Sequence, residues 1–273
     1  MTSPVRQRLA RVVRRSDADL AEAALCVSAE ADPTVDVDAQ LLRLDALADG
    51  LRTAKGITGD HDRDADTLVA HLAGDHGFTG DTDDYYDPAN GLLSAVLDRR
   101  RGMPITLSVL YVAIARRAGL PAWGIAHPGH YYVGVGTRDR TIVLDPYDGG
   151  ARVTAGELAE RIRTATAGRV EFTRAHLRAA GPATTTRRIL TNLTRDYTNR
   201  GQLTDALWTV ELKQLLPNTV PDDHRTRGEL LTHLGRYREA ADAFEEYLEL
   251  VGTTSQDAEE VKALAVRARA KLN

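Results

Sequence analysis

Gly102-Met-Pro-Ile-Thr-Leu-Ser-Val-Leu110 runs on as an apolar stretch to Arg116-Arg117. It is followed by Gly119-Leu-Pro121, Gly129-His-Tyr-Tyr-Val133 and Leu144-Asp-Pro-Tyr147. Residues 105–118 are apolar on nearly every helical face until Arg116, and such a helix is normally surrounded by protein. The Gly-Leu-Pro turn ends it. Strand patterns follow over 122–126, 130–135 and 141–144, and the short polar link Gly136-Thr-Arg-Asp-Arg140 reads as a hairpin between the last two. A buried helix packed on an antiparallel sheet is α+β architecture.

The order of these marks resembles the core of papain-like, transglutaminase-like enzymes, whose Cys-His-Asp triad sets the Cys at the N-terminus of the buried helix. Members of that superfamily carry Gly-x-Cys, a small residue one turn later, then Leu, Arg and Gly-Ile-Pro. Counting back from Gly119 puts the Cys position on Pro104, with Ser108, Leu110 and Arg116 at the other marks. The family's His-bearing strand is similar to His130-Tyr-Tyr-Val133, and its Leu-Asp-Pro to Leu144-Asp145-Pro146. The wording of 19–25, Asp84-Tyr-Tyr-Asp-Pro-Ala-Asn90, 99–108, Pro128-Gly-His130 and Asp145-Pro-Tyr-Asp-Gly-Gly150 resembles the SirB-type branch more particularly. The resemblance covers roughly 17–165. It implies a papain/transglutaminase-like core with an N-terminal helical segment, and His130 and Asp145 as the surviving triad positions.

Thiolate at a helix N-terminus is what the active relatives use. Pro at the first helical turn is structurally comfortable, because its missing N–H has no helical partner in any case. Pro104 therefore keeps the helix start and removes the nucleophile. Thr106 lies about 200° around the helix from position 104, and Ser108 is one turn deeper, about 6 Å along the axis. Neither oxygen coincides with the lost sulfur. Ser108 reads as a small core residue and Thr106 as a helix-start or pocket residue. His130 and Asp145 sit where a base–orienter hydrogen bond is natural, and a His–Asp pair locking two strands together fits the same positions. His127 is expected in a loop. Tyr131, Tyr132 and Trp123 are expected in sheet-face packing, with Tyr85 and Tyr86 at the rim.

Of the chain's 273 residues, 42% are apolar, and 35 basic against 39 acidic residues give a net charge of −4. That balance gives no reason to expect nucleic-acid binding. Only four basic residues are Lys, which reads as the coding bias of a GC-rich bacterial genome. The lone Cys26 excludes an intramolecular disulfide and a Cys-based metal cluster, and within its helix it reads as a buried small side chain. No apolar run reaches membrane-span length, and no signal core follows the N-terminal basic residues. No membrane association and a cytoplasmic location are expected.

Helical spacing at Leu20, Ala23, Ala24 and Val27 and at Leu41, Leu44, Leu47 and Leu51 marks N-terminal helices, with 5–15 and 17–30 split near Ser16-Asp17 as candidate caps. Residues 56–64 and 74–91 are turn-rich. His71, Asp75 and His76 lack a third metal ligand at a convincing spacing, and the acidic run 81–87 lacks an EF-hand's ligand order. Both read as solvated surface, and no metal or cofactor is expected. Residues 90–101 read as an amphipathic helix whose Arg99-Arg100-Arg101 end suits the helix dipole.

After Gly181-Pro182 the pattern changes. Gly201 and Gly235 are 34 residues apart, and the same offset relates Leu203 to Tyr237, Ala206 to Ala240 and Val210 to Phe244. That is the tetratricopeptide period. Two repeats are few for independent stability, so a helix over 256–271 is expected to cap them. The division read from sequence is 1–178 and 183–273. The favoured function is a non-catalytic binding or regulatory protein (a pseudoenzyme) whose repeats take a protein or peptide partner. The alternative is a hydrolase or acyl-transfer enzyme using His130 as general base, oriented by Asp145, without a cysteine.

Overall fold

The computed structural model describes residues 3–15, 18–54, 56–252 and 257–272. Contacts divide the chain into two compact units, Met1–Ile189 and Leu190–Asn273. In the first, α1 (Pro4–Val12) is capped by the Ser3 hydroxyl, which accepts from Arg6 N at 3.2 Å. The caps expected at Ser16-Asp17 lie outside the described residues. Asp19 caps α2 (Leu20–Ala31) by accepting from Ala21 N at 2.9 Å. Every residue of α2 from Leu20 to Ala29 except Glu22 is buried, and burial pushes the Cys26 thiol up to about 12. Leu44 and Leu51 of α3 (Val37–Ala54) enter the same core.

The stretch read as turn-rich over 56–64 contains a helix start. Buried Asp64 accepts from Thr58 N, Thr58 Oγ1 and Gly59 N within 2.9 Å, and Asp60 caps α4 (His61–Val69). A π-helical turn, Ala70–Asp75, follows. Two short parallel strands, β1 (Thr79–Gly80) and β2 (Arg101–Gly102), bracket the 3-10 turn Pro88–Gly91 and α5 (Leu93–Arg99). The helix expected over 90–101 is shorter because Arg100 takes a left-handed φ of 60° and stops it.

Pro104 is the first residue of α6 (Pro104–Arg117), which is buried from Pro104 to Ala115. It packs along the antiparallel sheet β3 (Ala122–His127), β4 (His130–Gly136), β5 (Thr141–Asp145) and β6 (Ala151–Arg152), ordered β3-β4-β5-β6. Alternation along the paired strands puts Trp123, Ile125, His130, Tyr132 and Val143 on one face, and Gly124, Tyr131, Val133 and Val135 on the other. Leu158 of α7 (Ala155–Ala165) joins Ile125, Tyr132, Val143 and Val153 in a cluster on the first face. On the second face a Cβ at Gly124 would lie 2.4 Å from the Tyr131 hydroxyl, so only glycine leaves room for that ring.

The compositional break at Gly181-Pro182 coincides with the start of α8 (Pro182–Asn199), while the division between compact units falls inside that helix. Its first two turns belong with the sheet: Thr185 shares a hydrogen bond with Tyr131 Oη at 2.7 Å, and Arg188 donates to His127 O at 2.7 Å. The second unit continues with α9 (Leu203–Lys213), α10 (Pro221–His233), α11 (Tyr237–Val251) and α12 (Ala258–Ala270). Gly201 and Gly235 hold the same turn, with φ of 72° and 73°, and Ala206 and Ala240 are both fully buried. The two repeats differ at one matched seam. In the first, Thr194 and Thr209 share a buried hydrogen bond of 2.7 Å. Thirty-four residues later the pair is Gly228 and Ala243, and a Cβ on Gly228 would sit 2.5 Å from the Phe244 ring. No helix among the described residues is long and apolar enough to cross a membrane.

Candidate functional site

β4 opens with His130 and β5 closes with Asp145. The imidazole Nε2–H donates to Asp145 Oδ1 at 2.9 Å. The carboxylate is buried, whereas the His130 side chain keeps 20% of its exposure. Asp145 Oδ1 also accepts from Tyr147 N at 3.2 Å, and Oδ2 accepts from Arg161 of α7 at 3.2 Å. Arg161 donates further to the Tyr132 hydroxyl at 2.6 Å and lies over the Tyr132 ring. Burial opposes ionisation of Asp145, but His130 and Arg161 outweigh it and hold the carboxyl below its ordinary value.

Rings flank the imidazole. Tyr132 lies 4.5 Å from it and Tyr147 6.4 Å, centroid to centroid. Tyr147 donates to Asp81 O at 2.8 Å and packs edge-on against Tyr85, which in turn packs on Tyr86. Tyr147 also connects the His–Asp pair to the start of α6. A Cβ at Gly80 would be 2.5 Å from Tyr147 O, and Gly80 pairs with Gly102, two residues before Pro104. Glycine at 80 is what lets Tyr147 settle there.

The structure thus brings His130 and Asp145 together, and the Thr106 and Ser108 hydroxyls bond to backbone carbonyls and not to that pair. Of the two roles read for Thr106 it takes the helix-start one: fully buried, its hydroxyl donates to Asn90 O at 2.5 Å with Met103 O 3.1 Å away, tying the helix start to the preceding turn. Ser108, equally buried, donates to Tyr131 O at 3.3 Å. His127 is not in a loop. It ends β3 fully buried, and burial pushes its pKa down. Asp81 corrects the reading of 81–87 as a solvated run. It is buried, bonded to Arg99 at 3.1 Å, and it accepts from Asp83 N and Asp84 N. Arg99 also pairs with Asp87 at 2.8 Å and Arg101 with Asp83 at 3.1 Å. The basic run and the acidic run are therefore one structure. His71 is a buried side chain donating to Leu47 O at 2.9 Å.

Arg161 and Tyr147 have no role in the sequence reading. Arg161 is one arginine among many on an amphipathic helix, and nothing local marks it. Tyr147 stands in the quoted Leu-Asp-Pro-Tyr, so its nearness to Asp145 was legible, though its contact with Gly80 was not.

A helix carrying Pro where the thiol would stand, a strand-borne His–Asp pair and a following helical repeat module define a transglutaminase-like domain joined to tetratricopeptide repeats. Residues 38–191 match the transglutaminase-like superfamily, to which the chain belongs, and residues 193–266 match the tetratricopeptide repeat. Its bacterial relatives are UPF0162 proteins of the SirB-type branch. One, from Xylella fastidiosa strain 9a5c, is 37% identical over 182 residues, 65% of this chain and 64% of the relative. The chain thus spans just under two thirds of that relative's length. The UPF0162 protein PA3419 of Pseudomonas aeruginosa is 28% identical over 215 residues, 79% of this chain and 78% of the relative. Human F-box only protein 21 is 43% identical over 54 residues, 20% of this chain and 9% of that protein. No solved structure matches.

Proposed function

We propose that this chain is a non-catalytic, regulatory binding protein, in which the His130–Asp145 pair locks the sheet and the repeats of 183–273 take a protein or peptide partner. The observation that carries this reading is Pro104 at the nucleophile position, with both nearby hydroxyls buried and bonded to backbone carbonyls. Transglutaminase and cysteine-protease chemistry both pass through a thioester, which needs a thiolate beside the His. Cys26 cannot supply one, since it is fully buried in α2 with its thiol raised to about 12. A hollow of about 390 Å³ between α8 and α10, lined by Thr198, Thr226, Glu229 and His233, supports a peptide groove on the repeats. The lone buried thiol in place of disulfides favours a cytoplasmic setting.

The test is amine incorporation into a Gln-containing protein and cleavage of unstructured casein, with Pro104→Ala as control. No turnover is expected. Turnover that survives Pro104→Ala and vanishes on Ser108→Ala or Thr106→Ala would establish an oxygen nucleophile and overturn the reading.

A second reading rests on the residual exposure of His130. A buried carboxylate orienting a reachable imidazole is the arrangement of a general base, and it would activate a water or a substrate's own nucleophile. His130→Ala and Asp145→Asn, each assayed for melting and for activity or partner binding, separate the two. Lost stability with retained binding supports the lock, and lost function at native stability supports the base.

A further inference from the structure

A cavity of about 930 Å³ opens at the β3 edge of the sheet, between Pro121–Trp123, the β4–β5 hairpin and residues 174–179. Trp123 stands opposite Gly134, four residues along β4 from His130, or about 13 Å at strand rise. It is a separate place from the His–Asp pair. The volume falls in the range of small-molecule sites.

Its charge sets it apart. Arg116, Arg138, Arg174 and Arg178 line it, against a single carboxylate, Asp139. Several other arginines of this unit are neutralised: Arg99 by Asp81 and Asp87, Arg152 by Asp62 and Asp66, Arg117 by Asp19 and Asp45. Arg140, two residues beyond Arg138, pairs with Asp62. In the cavity, Arg116 is bonded to the Ala122 carbonyl, and Arg138, Arg174 and Arg178 have no ion-pair partner among the described residues. Four exposed arginines around one hollow give it a positive potential, which an anion held between them neutralises. Guanidinium forks take phosphate or carboxylate in bidentate fashion. The apolar wall beside them is fixed: Trp123 donates its indole N–H to Leu177 O at 2.8 Å, and its ring lies over Gly134, where a Cβ would be 2.6 Å away.

We infer that this cavity binds a small organic anion with two or more phosphate or carboxylate groups on a ring-bearing body, the anionic groups held by Arg138, Arg174 and Arg178 and the ring against Trp123. The chain has two tryptophans, so a Trp208→Phe background leaves Trp123 as the sole reporter. The full chain in that background is titrated at low salt with ADP, which carries phosphates on a ring body, and with trimesate, which carries carboxylates on one. Neutral adenosine is the control. Saturable change in Trp123 emission with ADP assigns phosphate, and with trimesate carboxylate; either supports the site. Arg174→Gln with Arg178→Gln should weaken the binding by about tenfold or more, the effect of losing a charge-assisted hydrogen bond. If that double variant does not fold, exposed Arg138→Gln serves, with a smaller loss in the same direction. Failure of both probes to saturate overturns the inference. So does adenosine binding as well as ADP, or unchanged affinity in variants with native melting.

Discussion

The helix side and the strand side of the core differ in what they do with their polar groups. On the helix side, Pro104 is buried, and the Thr106 and Ser108 hydroxyls are closed off by backbone carbonyls. On the strand side, His130 and Asp145 keep a polar geometry that an enzyme would recognise, with the imidazole still touched by solvent. The difference teaches how a polar pair is held beside a helix start that carries proline. Asp145 holds together β4, α7 and the turn at Tyr147, so its removal leaves several donors unmatched. The thiol position carries no such obligation, and a proline satisfies the helix start as well as any residue.

The largest effect expected is from Asp145→Asn. Taking the charge from a buried carboxylate that holds His130 and Arg161 should cost about 2–4 kcal/mol, since both partners reach solvent and recover part of the loss. Chemical denaturation measures it. A change below ~1 kcal/mol would mean that the strand side is as dispensable as the helix side. Thr106→Val should cost about 1–1.5 kcal/mol by removing the short hydroxyl bond to Asn90 O, which keeps the Met103 N–H as its donor. Ser108→Ala, losing a longer bond, should cost about 1 kcal/mol or less. Reversal of that order in parallel melts would show that Ser108 and not Thr106 anchors α6.

Acid provides a third test. The carboxyls of Asp145 and Asp81 are both held below their ordinary values, each against the opposing effect of burial: Asp145 by His130 and Arg161, Asp81 by backbone N–H groups, Asn90 and Arg99. Depressed carboxyl values give stability that is complete above the unfolded value of about 4 and is lost as pH falls through the folded values. Stability measured from pH 6 downward should decline below about pH 4, and more shallowly in Asp145→Asn. An identical slope in the variant would separate the pair from acid unfolding. The smallest effect expected is none at all. Iodoacetamide under native conditions should leave Cys26 unmodified and binding intact, as mass spectrometry and a melt would report; modification of the folded chain with loss of function would restore a thiol to the chemistry.

Much of this arrangement was legible. An apolar run closed by Gly-Leu-Pro gave α6 and its turn, and alternation gave the strands, because both are local periodicities set by one buried face. The His130–Asp145 contact followed from a strand beginning and a neighbouring strand ending. The parts that were not legible are long-range. Nothing near Arg161 distinguishes it from other helix arginines, and the match of 81–87 to 99–101 depends on β1 meeting β2. Residue-by-residue polarity also misplaces His127 and Asp81, since buried polar groups look solvated until their partners are seen. The compositional break at 181–182 differs from the contact division at 189–190 because Thr185 and Arg188 bind back to Tyr131 and His127.

The unlike seams of the two repeats bear on how the array finds its alignment during folding. Sequences that recur at a fixed period invite one copy to dock where the other belongs, or to exchange with a neighbouring molecule. A slip by one repeat would set Thr194 or Thr209 against Ala243 or Gly228, losing the hydroxyl pair and crowding the space that Phe244 occupies, while each hydroxyl keeps only the carbonyl of its own helix, Leu190 O or Ala206 O. Losing the hydroxyl pair alone costs about 0.5–1.5 kcal/mol. The paired threonines thus act as a key cut for one lock, telling the first repeat from the second while leaving their outlines the same.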